Sequence, residues 1–454
     1  MRRILCAAAL LLAGALQAPG PAHAQITIPR VQLPRVPGVG PDGVVPDGVV
    51  PDVLRDVQGT ARNLDTSAAA DLRRLRIRDL LRQHSDVVEA DPTGAPIVRS
   101  ELLAFSPSDA TLVRFRAAGF EVVRERNLEG LDERIVVLRG PPRVGTRRAL
   151  QRLRELDPQG SFDFNHLYLD SGDEGAPAAG GAVATSGAAA TSGAAEHAAT
   201  GRTRVGLIDG GLDISHPVFA GETIRQHGCG GIAIPSSHGT EVASLVTGRA
   251  ANFQGAAPGA ELYAADVYCG LTTGGAVDAV SEAFSWLVKE RVPVINVSLV
   301  GPPNAMLERV VRLVVARGHL IVAAVGNDGP AAPPLYPAAY PGVVGVTAVD
   351  ARQRVLVEAE RGPQVKFAAP GADMAAATSS HMYAMVRGTS FAAPIVAGLL
   401  AADIPAPDMD AARQAVEGLI RQAVDLGAPG PDKVYGNGLV GAALRPEPAL
   451  ARSH

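Results

Sequence analysis

Beyond residue 202 the chain alternates short apolar runs with longer stretches of helical periodicity. The runs are rich in Val, Ile, Leu and Ala and carry little charge. Apolar runs that alternate with helices are typical of parallel strands buried on both faces of a sheet. The pattern therefore predicts an α/β domain built on a parallel sheet. Its predicted strands are residues 205–208, 262–268, 294–298, 320–325 and 343–349.

A different order of elements precedes this domain, between residues 97 and 169. Apolar and polar positions there follow the period of strands, except in two stretches that have helical spacing. The pattern predicts a small α+β module, ferredoxin-like in its order of strand, helix, strand, strand, helix, strand. Its predicted strands are residues 97–105, 121–126, 134–138 and 162–169, and its predicted helices are 109–118 and 146–156.

Three further segments surround these two regions. Residues 26–53 repeat Val, Pro, Gly and Asp, with Pro-Asp-Gly-Val-Val at 41–45 and again at 46–50, which is typical of an extended linker. Residues 172–200 are nearly all Ala, Gly, Ser and Thr, which predicts a flexible domain boundary. Residues 71–84 predict a basic amphipathic helix. Such a helix either lies on a membrane surface or, more commonly, presents a solvated face over a small core.

The N-terminus has the three-part order of a secretory signal peptide. Met1-Arg2-Arg3 is charged, residues 4–16 are apolar, and Ala22-His23-Ala24 supplies small residues before a predicted cleavage after Ala24. No later uncharged apolar stretch reaches the roughly 18 residues that a membrane helix needs, so we expect a secreted or periplasmic protein without a membrane span. The predicted regions are a signal peptide (1–24), a leader with the amphipathic helix (25–94), the α+β module (95–170), a linker (171–201), the α/β domain (202–445) and a tail (446–454).

Composition narrows the class of protein. Of the 454 residues, 47% are hydrophobic and 19% are charged, which suits a globular protein with a substantial core. The formal net charge is -4 and no long basic block occurs, so a nucleic acid is not an expected partner. Cys6 lies in the signal peptide. Cys229 and Cys269 either form a disulfide after export or remain two thiols too far apart to bond.

Four polar residues stand where predicted strands end or predicted helices begin. Asp209 and Asn327 follow strands, and His238 opens an apolar helix. Another apolar helix is predicted to begin at about Ser390, with Pro394 in its first turn. The unpaired N–H groups and the dipole of such a helix start suit an oxyanion that forms beside the hydroxyl. Taken singly, each of the four is more often a cap or a turn residue.

The order Asp209, His238, Asn327, Ser390 resembles that of the subtilisin-like serine peptidases. The resemblance implies an endopeptidase in which Ser390 attacks a peptide carbonyl, His238 transfers the proton and Asp209 holds the imidazole, with no catalytic metal. Asn327 and the N–H of Ser390 would bind the oxyanion. Three more segments carry the resemblance, which extends over about residues 202–443: Val294-Ile295-Asn296-Val297-Ser298-Leu299, Phe367-Ala368-Ala369-Pro370-Gly371 and Tyr435-Gly436-Asn437-Gly438-Leu439.

The resemblance also implies a cleft for an extended substrate. Ser298, Leu299 and Val300 would pair with the substrate backbone on one side, and the segment Thr272-Thr273-Gly274-Gly275 would pair with it on the other. Val300 stands where the family usually has glycine. We therefore expect a narrowed pocket and small residues at the cleavage site, unless the valine packs elsewhere.

Family members are made with N-terminal propeptides that assist folding and inhibit the active site. Residues 95–170 have the expected order of elements, so the resemblance makes this module a prodomain and an intramolecular inhibitor. It also implies a self-cleavage site within or beside the linker that follows Asp170. The alternative is an accessory domain that never leaves.

Cofactors and the oligomeric state complete the expectations. Residues 247–255 lack the run of Asn and Asp that binds calcium in many relatives, so no cofactor is expected, although a weak structural calcium site stays open. We expect a monomer with a polypeptide substrate. The alternative function is a non-catalytic or permanently inhibited subtilase-like binding protein, against which the presence of all four polar residues argues.

Overall fold

The computed structural model describes residues 73–174, 203–271 and 273–452. All of them lie within one compact unit, Gly59–His454. The predicted signal peptide, the leader before residue 73 and the linker between residues 174 and 203 are outside the described residues.

The first described part is an antiparallel sheet with two helices, preceded by a helix (α1) over residues 73–83. The strand order β5-β2-β4-β3 is ferredoxin-like, and the predicted order of elements is confirmed with nearly the predicted bounds. We call residues 88–170 the N-terminal module. Its elements are β1 (Val88–Ala90), β2 (Pro96–Phe105), α2 (Asp109–Ala117), β3 (Glu121–Leu128), β4 (Glu133–Arg139), α3 (Thr146–Leu156) and β5 (Ser161–Asp170).

The α/β domain follows, and seven of its strands form one parallel sheet. The predicted parallel α/β fold is therefore confirmed. The elements are β6 (Gly172–Glu174), β7 (Arg204–Asp209), β8 (Thr223–His227), α4 (Ser237–Thr247), β9 (Arg249–Ala250), β10 (Phe253–Gln254), β11 (Glu261–Asp266), β12 (Gly275–Ala276), α5 (Val277–Lys289), β13 (Val294–Val297), β14 (Leu299–Val300), α6 (Ala305–Ala316), β15 (Leu320–Ala324), β16 (Val343–Val349), β17 (Val365–Pro370), β18 (Met374–Ala377), β19 (Tyr383–Gly388), α7 (Thr389–Ala401) and α8 (Met409–Gln422). The sheet order is β17-β16-β15-β13-β7-β11-β8.

Helices cover both faces of the parallel sheet. Side chains of α4 and α7 share one apolar core with the sheet, and side chains of α5 and α6 share the other. The N-terminal module joins the second core. Because successive strand residues face opposite sides, Leu103 of β2 packs in the core shared with α5 and α6, whereas Leu102 packs against the module's own helices. The module's sheet is thus buried on both faces.

Charged residues reinforce the contact between the module and the α/β domain. The Arg124 guanidinium donates to both carboxylate oxygens of Glu101, at 2.6 and 2.7 Å, and to Oδ2 of Asp278 in α5 at 2.8 Å. Asn165 Nδ2 donates to Oδ1 of the same aspartate at 2.8 Å. Asp278 is only 1% exposed, so this carboxylate relies on partners from the module for its charge and hydrogen bonds.

Two further features bear on the predictions from sequence. Within the described ranges, the helices are too short or too polar to cross a membrane. Cys269 is disulfide-bonded. The side chain of Cys229, its predicted partner, is outside the described residues.

Candidate active site

Asp209 and His238 form a buried hydrogen-bonded pair. Asp209 is the last residue of β7, and His238 is the second residue of α4, whose start is capped by Ser236. The Ser236 hydroxyl accepts from the N–H of Gly239 at 3.0 Å. His238 Nδ1 donates to Asp209 Oδ1 at 2.9 Å, and the N–H of Gly210 donates to the same oxygen at 2.7 Å. These bonds fix which imidazole nitrogen stays free.

The electrostatics of this pair favour a charged imidazole. Asp209 is fully buried and His238 is 7% exposed. Burial lowers the pKa of His238, but the charge and hydrogen bond of Asp209, helped by Asp170 and Glu241, raise this pKa to about 10. His238 Nε2 is buried without a hydrogen-bond partner among the described residues, so it is free to exchange a proton with a neighbouring group.

Ser390 lies at the start of α7. Gly388 has φ 141°, a conformation open to glycine, and the helix begins at Thr389. The prediction that Pro394 lies in the first turn is therefore wrong, because it falls in the second turn. There the missing N–H of proline leaves the carbonyl of Ser390 without its helical partner. The Ser298 hydroxyl donates to this carbonyl at 2.9 Å and replaces the lost bond.

Asn327 is held beside Ser390 by the same helix start. The N–H of Thr389 donates to Asn327 Oδ1 at 3.2 Å, and the Thr389 hydroxyl accepts from the N–H of Gly326 at 3.2 Å. Because Oδ1 is engaged by a donor, Nδ2 is the atom that faces the cleft. Asn327 Nδ2 donates to the backbone carbonyl of Ser171.

The chain's own residue Ser171 occupies the space around the Ser390 hydroxyl. The N–H of Ser171 donates to Ser390 Oγ at 3.1 Å, and the two hydroxyl oxygens are 2.5 Å apart. Ser390 Oγ donates to the carbonyl of Ser298 at 3.1 Å and makes no bond to His238 Nε2 in this state. Ser390 is fully buried. The cover comes from residues that are distant in sequence.

Strand β5 lies in the cleft as an extended peptide would. On one side Asp170 and Leu169 pair with Leu299 and Val300 of β14, and the N–H of Ser171 donates to the Ser298 carbonyl at 3.4 Å. The chain then continues past Ser390, where β6 pairs with β19 and Gly172 is opposite Gly388. The Ser171–Gly172 peptide bond is therefore the bond that crosses the site.

The opposite wall of the cleft differs slightly from the prediction. The pairing residues are Gly275 and Ala276, which are opposite Tyr168 and Leu167. Thr273 is buried in a turn and Gly274 has φ 97°, so the strand begins at Gly275, the last residue of the predicted segment. A Cβ added at Gly274 would be 2.6 Å from the carbonyl oxygen of Tyr168, so this glycine allows β5 to approach closely. Thr272 is outside the described residues.

Next to Asn327, the space against Gly326 is filled by residues that the sequence did not single out. A Cβ added at Gly326 would be 2.8 Å from Leu335 Cδ1 and 2.9 Å from Glu360 Oε1. The N–H of Leu335 donates to Glu360 Oε2 at 3.1 Å. Burial, followed by the charge of Asp328, raises the pKa of Glu360 to about 9. Glu360 is fully buried and holds its proton near neutral pH.

Two more features concern ions. Arg73 of α1 pairs with Asp328, the residue after Asn327, with Nε and Oδ2 3.1 Å apart. No group of three or more His, Cys, Asp or Glu side chains in the described parts of the chain is arranged to hold a metal ion. The expectation about calcium stays a prediction.

Comparison with known proteins gives the family. Residues 201–438, more than half of the chain, match the sequence model of the Subtilase family. The chain belongs to the subtilase family. This subtilase is 32% identical over 251 residues to Subtilisin Savinase from Lederbergia lenta, a match that covers 53% of this chain and 88% of Savinase. It is also 32% identical over 210 residues to Minor extracellular protease Epr from Bacillus subtilis strain 168, of which the match covers 32%.

A solved structure extends the likeness of the subtilase to its N-terminal part. The chain matches the crystal structure of fervidolysin from Fervidobacterium pennivorans with a TM-score of 0.65 and 20% identity, over 79% of this chain and 62% of fervidolysin. At this identity the likeness concerns the fold alone. The chain spans about a third of Epr and less than two thirds of fervidolysin.

Sequence reasoning missed the strand that fills the cleft of the subtilase. It named Asp209, His238, Asn327 and Ser390, and the structure brings all four to one edge of the parallel sheet. It did not name Ser171, because nothing in a serine that follows a strand marks its place in a distant cleft. The alternation of apolar residues in β5 predicted a strand, but it did not predict the surface against which this strand packs.

Proposed function

We propose that this subtilase is an exported serine endopeptidase that cleaves polypeptides through Ser390, His238 and Asp209 and first cleaves its own chain between Ser171 and Gly172. The observation that carries the proposal is the position of Ser171. Its carbonyl accepts from Asn327 while its N–H contacts Ser390 Oγ at 3.1 Å. A peptide bond held in this way has an amide donor on its oxygen and a hydroxyl beside its carbonyl carbon, as acyl transfer needs.

The chemistry begins with a rotation of the Ser390 hydroxyl away from the carbonyl of Ser298. His238 Nε2 takes the proton as Ser390 Oγ bonds to the carbonyl carbon of Ser171, and Asp209 stabilises the resulting imidazolium. Asn327 Nδ2 donates to the oxyanion of the tetrahedral intermediate. The carbon–nitrogen bond to Gly172 then breaks, and His238 gives its proton to the leaving amine.

Water completes the reaction. It attacks the acyl-enzyme carbonyl while His238 takes its proton, the bond to Ser390 Oγ breaks, and Ser390 recovers its hydrogen. Residues up to Ser171 then end in a carboxylate. Asp170, which helps to raise the pKa of His238, departs from the cleft when the module leaves, so this pKa falls and a larger fraction of the imidazole is neutral and able to take a proton.

Inhibition by the N-terminal module follows from the same contacts. Strand β5 pairs with both walls of the cleft, and Ser390 is fully buried beneath it. An external substrate would need the same strand positions, so it competes with β5 until the module dissociates. Export rests on the signal peptide predicted at residues 1–24. We infer that the released enzyme acts as a monomer.

A fluorophosphonate probe tests this function directly because it reacts only with an activated serine. Protein made from the full chain should be labelled once the module has left, and Ser390→Ala should not be labelled. Ser215→Ala is the matched control. Ser215 also lies beside a histidine, with Oγ 2.8 Å from His381 Nε2, but among the described residues it has no oxyanion donor such as Asn327. This control should be labelled like the wild type.

The occupied cleft also favours the second candidate, a permanently inhibited binding protein. That candidate predicts that the full chain remains uncut and unlabelled at Ser390, even after long incubation. Labelling that depends on Ser390 excludes it, whereas a complete lack of labelling would support it and contradict the proposed peptidase.

A further inference from the structure

An ion pair joins α1 to the residue that follows Asn327. Arg73 Nε and Asp328 Oδ2 are 3.1 Å apart, and the two side chains are only 15% and 19% exposed. Because both charges are largely withdrawn from water, solvent and salt screen them weakly. Asn327, the neighbour of Asp328 in the chain, donates to the Ser171 carbonyl. The pair therefore lies one residue from the donor that stabilises the oxyanion in the proposed reaction.

The field of this pair extends along the wall of the cleft. Burial raises the pKa of Asp328, and the charges of Arg73 and two further arginines of α1 oppose this rise. Burial, followed by the charge of Asp328, raises the pKa of Glu360, and the charge of Arg73 opposes that effect too. The N–H of Glu360 donates to the carbonyl of Gly326, the residue before Asn327, at 3.0 Å. Arg73 thus offsets the negative charge of Asp328 on both sides of the oxyanion donor.

We propose that Arg73 accelerates the first cleavage of the chain by neutralising the Asp328 carboxylate beside Asn327. The inference rests on the proposed peptidase function and adds a positioning residue to the same site. Arg73 acts through its partner: it places a positive charge and transfers no proton. The catalytic roles of Ser390, His238 and Asn327 are unchanged by it.

The effect follows from the charge that develops during the reaction. The Ser171 carbonyl is neutral before attack, whereas the tetrahedral intermediate carries a negative oxygen. An unpaired carboxylate nearby raises the energy of this intermediate more than that of the uncut chain, so it slows the reaction. A cation paired with the carboxylate removes most of this repulsion. We expect the difference to correspond to a factor of about 10 in rate.

The assistance is confined to the first cleavage because of where α1 lies in the chain. Arg73 precedes Ser171, so it belongs to the fragment that ends at the cut bond. The released enzyme, which begins at Gly172, therefore has Asp328 but no longer has Arg73. Arg73 favours cleavage of the chain's own peptide bond and has no part in cleavage of an external polypeptide.

A time course of self-cleavage at pH 8, where an aspartate is ionised, tests the inference. Full chains are refolded by dilution from denaturant, and the cut between Ser171 and Gly172 is followed by gel electrophoresis. Arg73→Ala should slow the cut about 10-fold, and Arg73→Lys, which keeps the charge, should stay within about threefold of the wild type. Arg82→Ala is the matched control on α1, because Arg82 pairs with Asp79 at an exposed position, and it should cut at the wild-type rate.

A second substitution separates charge neutralisation from simple attachment of α1. Asp328→Asn removes the carboxylate that Arg73 neutralises, so this variant should cut at least as fast as the wild type. The double variant of Arg73→Ala with Asp328→Asn should return to within about threefold of the wild-type rate. If the ion pair only attached α1, both single variants and the double variant would lose the same contact, and all three would be slow.

The outcomes distinguish this inference from the proposed function. A wild-type rate for Arg73→Ala, or a slow rate that Asp328→Asn fails to restore, overturns the inference and leaves the peptidase standing, provided that the wild type cuts itself and is labelled at Ser390. The released enzyme from Arg73→Ala should hydrolyse a general protein substrate at the wild-type rate, and a lower rate also overturns the inference. A wild type that is neither cut nor labelled overturns the peptidase, and the inference with it.

Discussion

The backbone N–H of Ser171 donates a hydrogen bond to the hydroxyl oxygen of Ser390 at 3.1 Å, although the two residues are 219 positions apart in the chain. This contact links the last strand of the N-terminal module to the start of α7. Its consequence is an order of events: the serine first meets the chain's own peptide bond, and an external polypeptide can follow only after β5 has left the cleft.

Replacement of Asn327 by alanine tests the oxyanion donor. Asn327→Ala removes the donor to the Ser171 carbonyl, and one such donor typically contributes a factor of about 10² to 10³ in rate. We expect self-cleavage of the full chain to slow by that factor in a time course followed by gel electrophoresis. Asn252→Ala, at an exposed position between β9 and β10, should cleave at the wild-type rate. A decrease of less than about fivefold for Asn327→Ala would contradict the assigned role.

The link between Ser298 and Pro394 is testable by a double-mutant cycle, in a Ser390→Ala background that prevents self-digestion. Ser298→Ala leaves the buried carbonyl of residue 390 without a donor and should lower the free energy of unfolding by about 1–3 kcal/mol. With Pro394→Ala, the restored N–H can bond that carbonyl within the helix. The effect of Ser298→Ala should then be smaller by about 1 kcal/mol in urea unfolding. Strictly additive effects would disprove the compensation.

Asp278 tests how the module is held. Asp278→Asn removes a buried charge that receives Arg124 Nε at 2.8 Å and Arg126 Nε at 3.2 Å. We expect the cut module to dissociate about 10-fold faster or more, measured by the rate at which probe labelling appears. Glu129→Gln is the control at the same contact, because the pair of Glu129 and Lys289 is exposed and should change the rate less than about threefold.

The pH dependence of the Asp278 effect has a definite sign. Its partners Arg124 and Arg126, opposed by burial, lower the pKa of Asp278. Its contribution is therefore present above the pKa of an ordinary aspartate and is lost only as the pH falls through the lowered value. The difference between wild type and Asp278→Asn should persist at neutral pH and shrink in strong acid. A difference that grew in acid would contradict this assignment.

The raised pKa of Glu360 leads to a second pH effect, in which the contribution to stability is lost as the pH rises. Its pKa is raised from 4.5 to about 9, so the folded chain keeps a proton that the unfolded chain releases between these values, and stability declines as the pH rises. In the Ser390→Ala background, Glu360→Gln should raise the free energy of unfolding more at pH 8 than at pH 5, by up to about 4 kcal/mol. Glu417→Gln, on an exposed face of α8, should show no such pH dependence.

The parts of the site that could be predicted depend on local sequence. Asp209 and His238 are marked by a strand end and by a helix start, and those features survive in the structure with a 2.9 Å hydrogen bond between them. The start of α7 was predicted within one residue. The prediction that Pro394 lies in the first turn was wrong. Proline is placed there because it lacks an N–H, but the hydroxyl of Ser298, distant in sequence, replaces the hydrogen bond that proline removes in the second turn.

The parts that could not be predicted depend on the docking of distant segments. Tyr168 and Ser171 belong to a strand whose alternation indicates burial but not the surface that buries it. Their contacts with Pro302 and Ser390 arise only when the module packs on α5 and α6. Likewise, Leu335 and Glu360 meet Gly326 through the tertiary fold.

The measurement that tests the central claim most directly is the N-terminus of protein made from the full chain in a host without other proteases. We predict a new N-terminus at Gly172 in the wild type and in Ser215→Ala, and an uncut bond between Ser171 and Gly172 in Ser390→Ala. Cleavage of that bond in Ser390→Ala, or a wild type that is labelled at Ser390 while this bond stays intact, would contradict the account.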